Sequence, residues 1–236
     1  MKKVLPIFKR EMQAYFFSPV AYIVISVFLL ITGWFFTGQL FLANDSSLRG
    51  MLDIVPFIFI FFVPAVTMRL ISEERKSGTI ELMFTMPISD IEIIVGKFLA
   101  GLGLLVVSVL FTLPYAFTLI VLGQPDIGML VTGYIGLLLM GAAYVSIGVF
   151  ASTVTKNQVI AFIVAFAIIF TLWLLRQFLM VMPPSVAPVL QYLSIDYHFE
   201  NIARGVLDSR NVIYYFSLVV VMLSLAKVSL ESRKWS

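Results

Sequence analysis

Cysteine is absent from this chain of 236 residues. That excludes a disulfide framework and any thiolate metal site. Histidine is nearly as scarce. His198 stands alone, so no second histidine completes a metal site or a nucleophilic pair. Charged residues make up only 12% of the chain, too few to cover a water-facing exterior. No phosphate-binding loop of the form G-x-x-x-x-G-K-[ST] occurs, because Gly96-Lys97 lacks both the upstream glycine and the following hydroxyl. Carboxylates are missing from the middle of every long apolar run, and Asp53, near the start of one, comes closest. Ion-coupled transport is therefore disfavoured, although backbone carbonyls remain a route for sodium. Glu73-Glu74-Arg75 lacks the partners of a glutamate membrane protease: the position for its arginine is Gly78, and no second histidine exists.

What is present is apolar. Hydrophobic residues are 61% of the chain and mean hydropathy is +1.03. Runs long enough to span a bilayer as helices fall at about 20–42, 52–71, 98–122, 129–149, 159–181 and 212–230. The breaks carry Asn44-Asp45-Ser46-Ser47, Gly123-Gln124-Pro125-Asp126, Lys156-Asn157 and Pro183-Pro184. We therefore expect an all-α integral membrane protein: a single transmembrane domain over 1–236 with six transmembrane helices. Segment 1–19 spreads its charges through an amphipathic pattern, which a cleaved signal peptide does not do. Leu5, Phe8, Met12, Tyr15 and Phe16 share one face, opposite Lys2, Lys9 and Gln13. It reads as an interfacial helix ending at Ser18-Pro19, or as the frayed start of the first span.

Lysine and arginine set the orientation. With the N-terminus in the cytoplasm, that side collects Lys2, Lys3, Lys9, Arg10, Arg69, Arg75, Lys76, Lys97, Lys156, Lys227, Arg233 and Lys234. The other side receives only Arg49, Arg204 and Arg210. Both termini are then cytoplasmic. The same bias explains the net charge of +3 through the lipid bilayer rather than nucleic acid.

The loop 72–97 is the most informative stretch. A helix start is expected at Ser77–Glu81, with Ile80, Met83 and Phe84 on one apolar face and Pro87 as its stop. A second short amphipathic piece runs from Ile91 to Lys97. Such a helix suits docking in a groove of another protein, or lying on headgroups; its acidic balance disfavours anionic lipid. The stretch Ile71-Ser72-Glu73-Glu74-Arg75-Lys76-Ser77-Gly78-Thr79-Ile80-Glu81-Leu82, followed by Thr85-Met86-Pro87-Ile88-Ser89 and Gly96-Lys97, resembles the cytoplasmic loop of type-2 ABC exporter permeases. Tyr197-His198-Phe199-Glu200-Asn201-Ile202-Ala203-Arg204-Gly205-Val206 is similar to the gliding-motility-related subgroup of those permeases.

The resemblance implies a bacterial inner-membrane permease that dimerises with a second copy of itself and pairs with a separate cytoplasmic ABC ATPase. ATP and magnesium are then bound by that ATPase, and this chain carries no cofactor or catalytic residue of its own. Glu73, Glu74, Gly78, Thr79, Glu81, Leu82, Phe84 and Pro87 are the expected ATPase-coupling residues. The subgroup adds a membrane-anchored auxiliary protein as a partner. Export is the expected function. The alternative is a non-transporting assembly that uses ATP to act mechanically on an envelope partner.

Pro183-Pro184 and Pro188 keep the fifth span from continuing through the outer loop 182–211. Phe199, Ile202, Ala203 and Val206 then recur at helical spacing, with Glu200, Asn201 and Arg204 on another face. We expect an outer helix that dips into the leaflet or caps the space between two copies, a lid carrying His198, Phe199, Ile202 and Arg204. A plain connector is the alternative. Arg176, inside the fifth span, either snorkels or lines a substrate path. Pro56, Pro64 and Pro114 are expected to kink their spans, and Gly133, Gly136, Gly141, Ala142, Ser146 and Gly148 to allow close helix packing.

Overall fold

The computed structural model describes residues 3–42, 48–81, 88–123, 125–179, 183 and 185–232. Among them all regular structure is helical. The elements are α1 (Val4–Phe17), α2 (Pro19–Leu42), α3 (Arg49–Thr67), α4 (Ser72–Ser77), α5 (Asp90–Leu110), α6 (Leu113–Leu122), α7 (Ile127–Val154), α8 (Gln158–Phe178), α9 (Ala187–Leu193), α10 (Ile195–Ala203) and α11 (Ser209–Glu231). Six helical segments are long and apolar enough to cross a membrane: α2, α3 with α4, α5 with α6, α7, α8 and α11. Two ends of the bundle follow. The near end carries α1, α4 and the start of α5; the far end carries α9 and α10.

Polar residues at the helix starts set where the spans begin. Asp126 accepts from the N–H groups of Gly128 (2.8 Å) and Met129 (3.3 Å). Asn157 accepts from Val159 (2.9 Å), and Asp208 from Arg210 (2.9 Å). Each satisfies a donor that the first helical turn leaves open. Ser89 and Glu92 form a capping box at α5, the Glu92 carboxylate accepting from the Ser89 N–H at 3.2 Å.

That box corrects one expectation. Ile91–Lys97 is not a separate amphipathic piece but the first turns of a continuous α5. Asp90, Glu92 and Lys97 are all buried, so their polarity marks contacts within the fold, not a water-exposed break. The third span also divides: α5 ends at Leu110, Phe111 and Thr112 turn, and Pro114 lies in the first turn of α6. Proline is tolerated there because that N–H has no helical partner anyway. Pro114 thus opens a helix instead of kinking one. Pro56 and Pro64 lie within a continuous α3.

The most enclosed helix is α7, which packs against α3, α5, α8, α10 and α11. Its small residues allow the approach. A Cβ at Gly133 would lie 2.7 Å from Leu52 of α3, and one at Gly141 would lie 2.6 Å from Leu105 of α5. At Gly148 it would meet the Thr67 hydroxyl of α3. Close packing of small residues substitutes here for the hydrophobic effect, which gives no drive between helices in lipid. By contrast α2, α8 and α11 leave most of their apolar surface outward.

The helix α1 lies along α5 and α2. Its packed face is Ile7, Phe8, Met12 and Tyr15: Ile7 meets Gly96, and Phe8 and Met12 meet Gly103. Leu5, expected on that face, is 58% exposed. Phe8, Met12 and Tyr15 are the expected residues; only at the start does the contact move, where Gly96 of α5 admits Ile7 in place of Leu5.

Candidate functional site

At the near end, α1, α4 and α5 meet around one buried ammonium. The Lys97 side chain is 1% exposed. Its Nζ lies 3.1 Å from Glu11 Oε1 of α1 and 2.9 Å from Glu74 Oε2 of α4, and donates to the Leu70 carbonyl between α3 and α4. Arg10 Nη2 bridges the same carboxylates from outside, 2.7 Å from Glu11 and 2.6 Å from Glu74. Two cations thus balance two anions. A buried ammonium persists only with such pairing, and removing one partner strands a charge. Burial pushes the Glu11 carboxyl up, but Lys97 and Arg10 outweigh it, so it titrates below the usual carboxylate range. The same carboxylates hold the Arg10 guanidinium above its ordinary value against its own partial burial.

Neighbouring contacts extend this joint to other spans. Tyr15 Oη donates to the Val66 carbonyl at 2.8 Å, and the Arg69 guanidinium sits 4.7 Å from the Tyr15 ring centre. Arg75 is buried and donates to the Thr153 carbonyl at the end of α7. A cleft of about 740 Å³ opens beside the cluster, lined among others by Ile7, Tyr15, Arg69, Glu73, Thr79 and Ile88.

The expected coupling residues divide. Glu73, Thr79 and Glu81 are exposed, while Glu74 is turned inward to Lys97. Gly78 adopts φ +75, a left-handed conformation that closes α4, so Ser77 ends a helix where a helix start was expected. The chain turns helical again at Thr79–Glu81. Leu82, Phe84 and Pro87 lie outside the described residues, as does Met83. The sequence reading missed Arg10, Glu11 and Lys97 as one unit. Its signal was Glu11 on the apolar face of α1, beside Phe8, Met12 and Tyr15.

At the far end, Arg176 neither snorkels free nor stands alone. Its guanidinium lies 2.6 Å from Asp196 Oδ2 and 2.6 Å from Glu200 Oε2, both on α10. Glu200 also pairs with Arg204. Burial raises the Asp196 carboxyl despite the opposing pull of Arg176. The apolar face of α10 is used inside the chain: a Cβ at Gly136 of α7 would sit 3.0 Å from Ile202 and 3.2 Å from Phe199. Val206 is not on that helix. It follows Gly205, whose φ of +97 closes α10. His198 is buried, stacked on Tyr214 with ring centres 4.0 Å apart. Its Nδ1 is 2.7 Å from Asn211 Oδ1, and its Nε2 is 3.0 Å from the Tyr192 carbonyl. Of the four expected lid residues only Arg204 is exposed.

The described residues thus form six apolar segments with charged clusters at both ends of the bundle. A family model described as ABC-2 family transporter protein matches residues 6–234. The chain belongs to that family. No curated protein matches the sequence. As an ABC-2 family member it is a multi-pass membrane permease subunit of an ABC transporter, a class that works with a partner ATPase subunit.

Proposed function

We propose that this ABC-2 permease is the membrane half of an ATP-driven exporter in the bacterial cell membrane, acting as a homodimer with two cytoplasmic ATPase copies docked on its near end. The observation that carries this is Lys97, buried between a carboxylate of α1 and one of α4. A joint of that kind turns a push on the loop after α3 into a shared displacement of α1 and α5. Glu73 and Thr79 are exposed and line the cleft, and Glu81 is exposed just after them; these residues and, by their place in the sequence, Leu82, Phe84 and Pro87 are assigned to docking. ATP and magnesium are held by the ATPase. Its closure pushes on Thr79–Glu81; Glu74 carries the movement to Lys97, and Arg75 carries it to the end of α7. The near end is cytoplasmic in this reading, supported by its surplus of lysine and arginine. At the other side, α9 and α10 form an outer lid pinned by His198.

A second reading is mechanical action on an envelope partner without transport. It is favoured by the far surface, where Arg204, Asp208 and Arg210 are exposed while the apolar face of α10 is already buried. A membrane-anchored auxiliary protein is the partner in that case.

The test is reconstitution with a partner ABC ATPase. Glu73→Arg combined with Glu81→Arg places two cations on the docking surface; the complex then dissociates or loses stimulated ATP hydrolysis. Full assembly and full activity in that variant overturn the docking reading. Flux in proteoliposomes, against ATP hydrolysis without flux, separates export from mechanical action.

A further inference from the structure

The far end holds a second cleft, about 860 Å³, between α3, α8 and α10. Volumes of this order take small-molecule ligands. Most of its charges are spent on one another: Arg176 on Asp196 and Glu200, and Arg204 on Glu200. Two are not. Arg49 and Asp53 stand one turn apart at the start of α3, both line the cleft, and both are exposed. Neither is in a direct ion pair within 4 Å among the described residues, although Asp53 lies within the fields of Arg176 and Arg49. The cleft therefore presents one cation and one anion that are not engaged in direct ion pairs, about 5–6 Å apart at the level of their Cβ atoms.

An apolar strip leads away from this pair. Trp173 lines the cleft and contacts Phe57 (ring centres 5.7 Å apart) and Phe170 (5.8 Å). Phe170 stacks on Phe166 (5.4 Å), which meets Phe61 (5.1 Å) and Phe162 (6.2 Å). Phe57 and Phe61 are 40% and 45% exposed. From Trp173 to Phe162 the strip runs about 16 Å along α8, roughly half of a hydrocarbon core about 30 Å thick. Trp173 lies near the end of its span, at the depth where tryptophan meets headgroups.

We propose that this cleft binds one zwitterionic phospholipid: its ammonium on Asp53, its phosphate on Arg49, and an acyl chain along the aromatic strip. Charge complementarity selects this occupant. An anionic headgroup satisfies Arg49 but leaves Asp53 facing a like charge, and a water-soluble zwitterion has no use for the strip. The site goes beyond the permease reading and needs no ATPase.

The full chain in detergent micelles tests it, with Trp34→Phe and Trp235→Phe leaving Trp173 as the sole tryptophan. Brominated phosphatidylethanolamine and brominated phosphatidylglycerol are titrated as quenchers. Saturable quenching by the ethanolamine lipid is expected, with half-saturation about tenfold lower than for the glycerol lipid, the worth of one charge-assisted contact. Arg49→Gln and Asp53→Asn each weaken it by about the same factor. Native mass spectrometry of the unsubstituted chain, offered both lipids in equal amounts, retains one ethanolamine lipid per chain. Equal, non-saturable quenching by both lipids means ordinary boundary contact and overturns the site. Protection of Trp173 from both lipids means a second copy covers the strip and also overturns it. Docking variants at Glu73 and Glu81 leave the quenching unchanged, so failure of the ATPase reading shows separately.

Discussion

The Nζ of Lys97 lies 2.9 Å from Oε2 of Glu74, joining the interior of the third span to the short helix that follows the second. Because Glu11 shares the same ammonium from α1, three segments distant in sequence meet at one charge.

Replacing that charge is expensive. Lys97→Met leaves Glu11 and Glu74 facing each other with only the half-exposed Arg10 between them. We expect a loss of about 3–5 kcal/mol in thermal unfolding of the detergent-solubilised protein. Adding Glu11→Gln and Glu74→Gln to Lys97→Met recovers a large part of it, since no buried charge is then stranded. A triple variant no more stable than Lys97→Met alone contradicts the assignment.

Acid acts on the same joint. The Glu11 carboxyl titrates lower in the fold than its ordinary value of 4.5. Its stabilising contribution is therefore complete above about pH 4.5 and disappears as pH falls through the folded value. Asp196 has the opposite sign. Its folded value is raised above 3.8, so its burial costs nothing below that pH, begins to cost as pH rises above 3.8, and costs in full once pH has passed the folded value. Melting temperature measured from pH 3 to 7 should lose part of its acid-side fall in Glu11→Gln, whereas Asp196→Asn should gain relative stability toward neutral pH, net of its lost bond to Arg176.

The absence of cysteine makes orientation directly measurable. A cysteine at Ser77, which is exposed at the near end, should react with an impermeant maleimide only after the cells are opened. One at Ser209, exposed at the far end, should react in intact cells. The reverse pattern inverts the proposed topology.

Cysteines at Asn201 and Arg204 test the outer lid. Disulfide-linked dimers, or protection that changes with nucleotide in the assembled complex, are the expected results. Free labelling of both positions in every nucleotide state, with no cross-link, makes α9 and α10 a passive connector.

The six spans were legible because a run of about twenty apolar residues has one physical use in a chain this poor in charge. Their ends were less so. Asp90, Glu92 and Lys97 read as a polar break, yet they are buried in α5 by partners that include residues some 80–90 positions earlier, Glu11 and the Lys3 backbone. Local pattern carries no record of such pairing. The same holds for Arg176, whose carboxylates lie on α10, beyond a proline-rich connection. The end of α10 was readable after all: Gly205 is a helix-closing glycine, and Val206 belongs beyond it. The packed face of α1 was legible at Phe8, Met12 and Tyr15, and missed only at its start, where Ile7 rather than Leu5 is buried because the glycine that admits it, Gly96, sits on another helix.

Gly148 leaves no space between α7 and α3. A side chain there would strike the Thr67 hydroxyl, itself held to the Val63 carbonyl at 2.8 Å. The two backbones are thus fixed against each other as a keel. Sliding or rolling between them collides within a bond length, whereas α2 and α8 have mostly open flanks; α11 lies closely along α7 and belongs with it. A transport stroke that respects this geometry swings the outer spans like oars about a stationary α3–α7 pair. Labels on α3 and α7 would then keep their separation through the whole ATP cycle, while labels on α2 or α8 report the stroke.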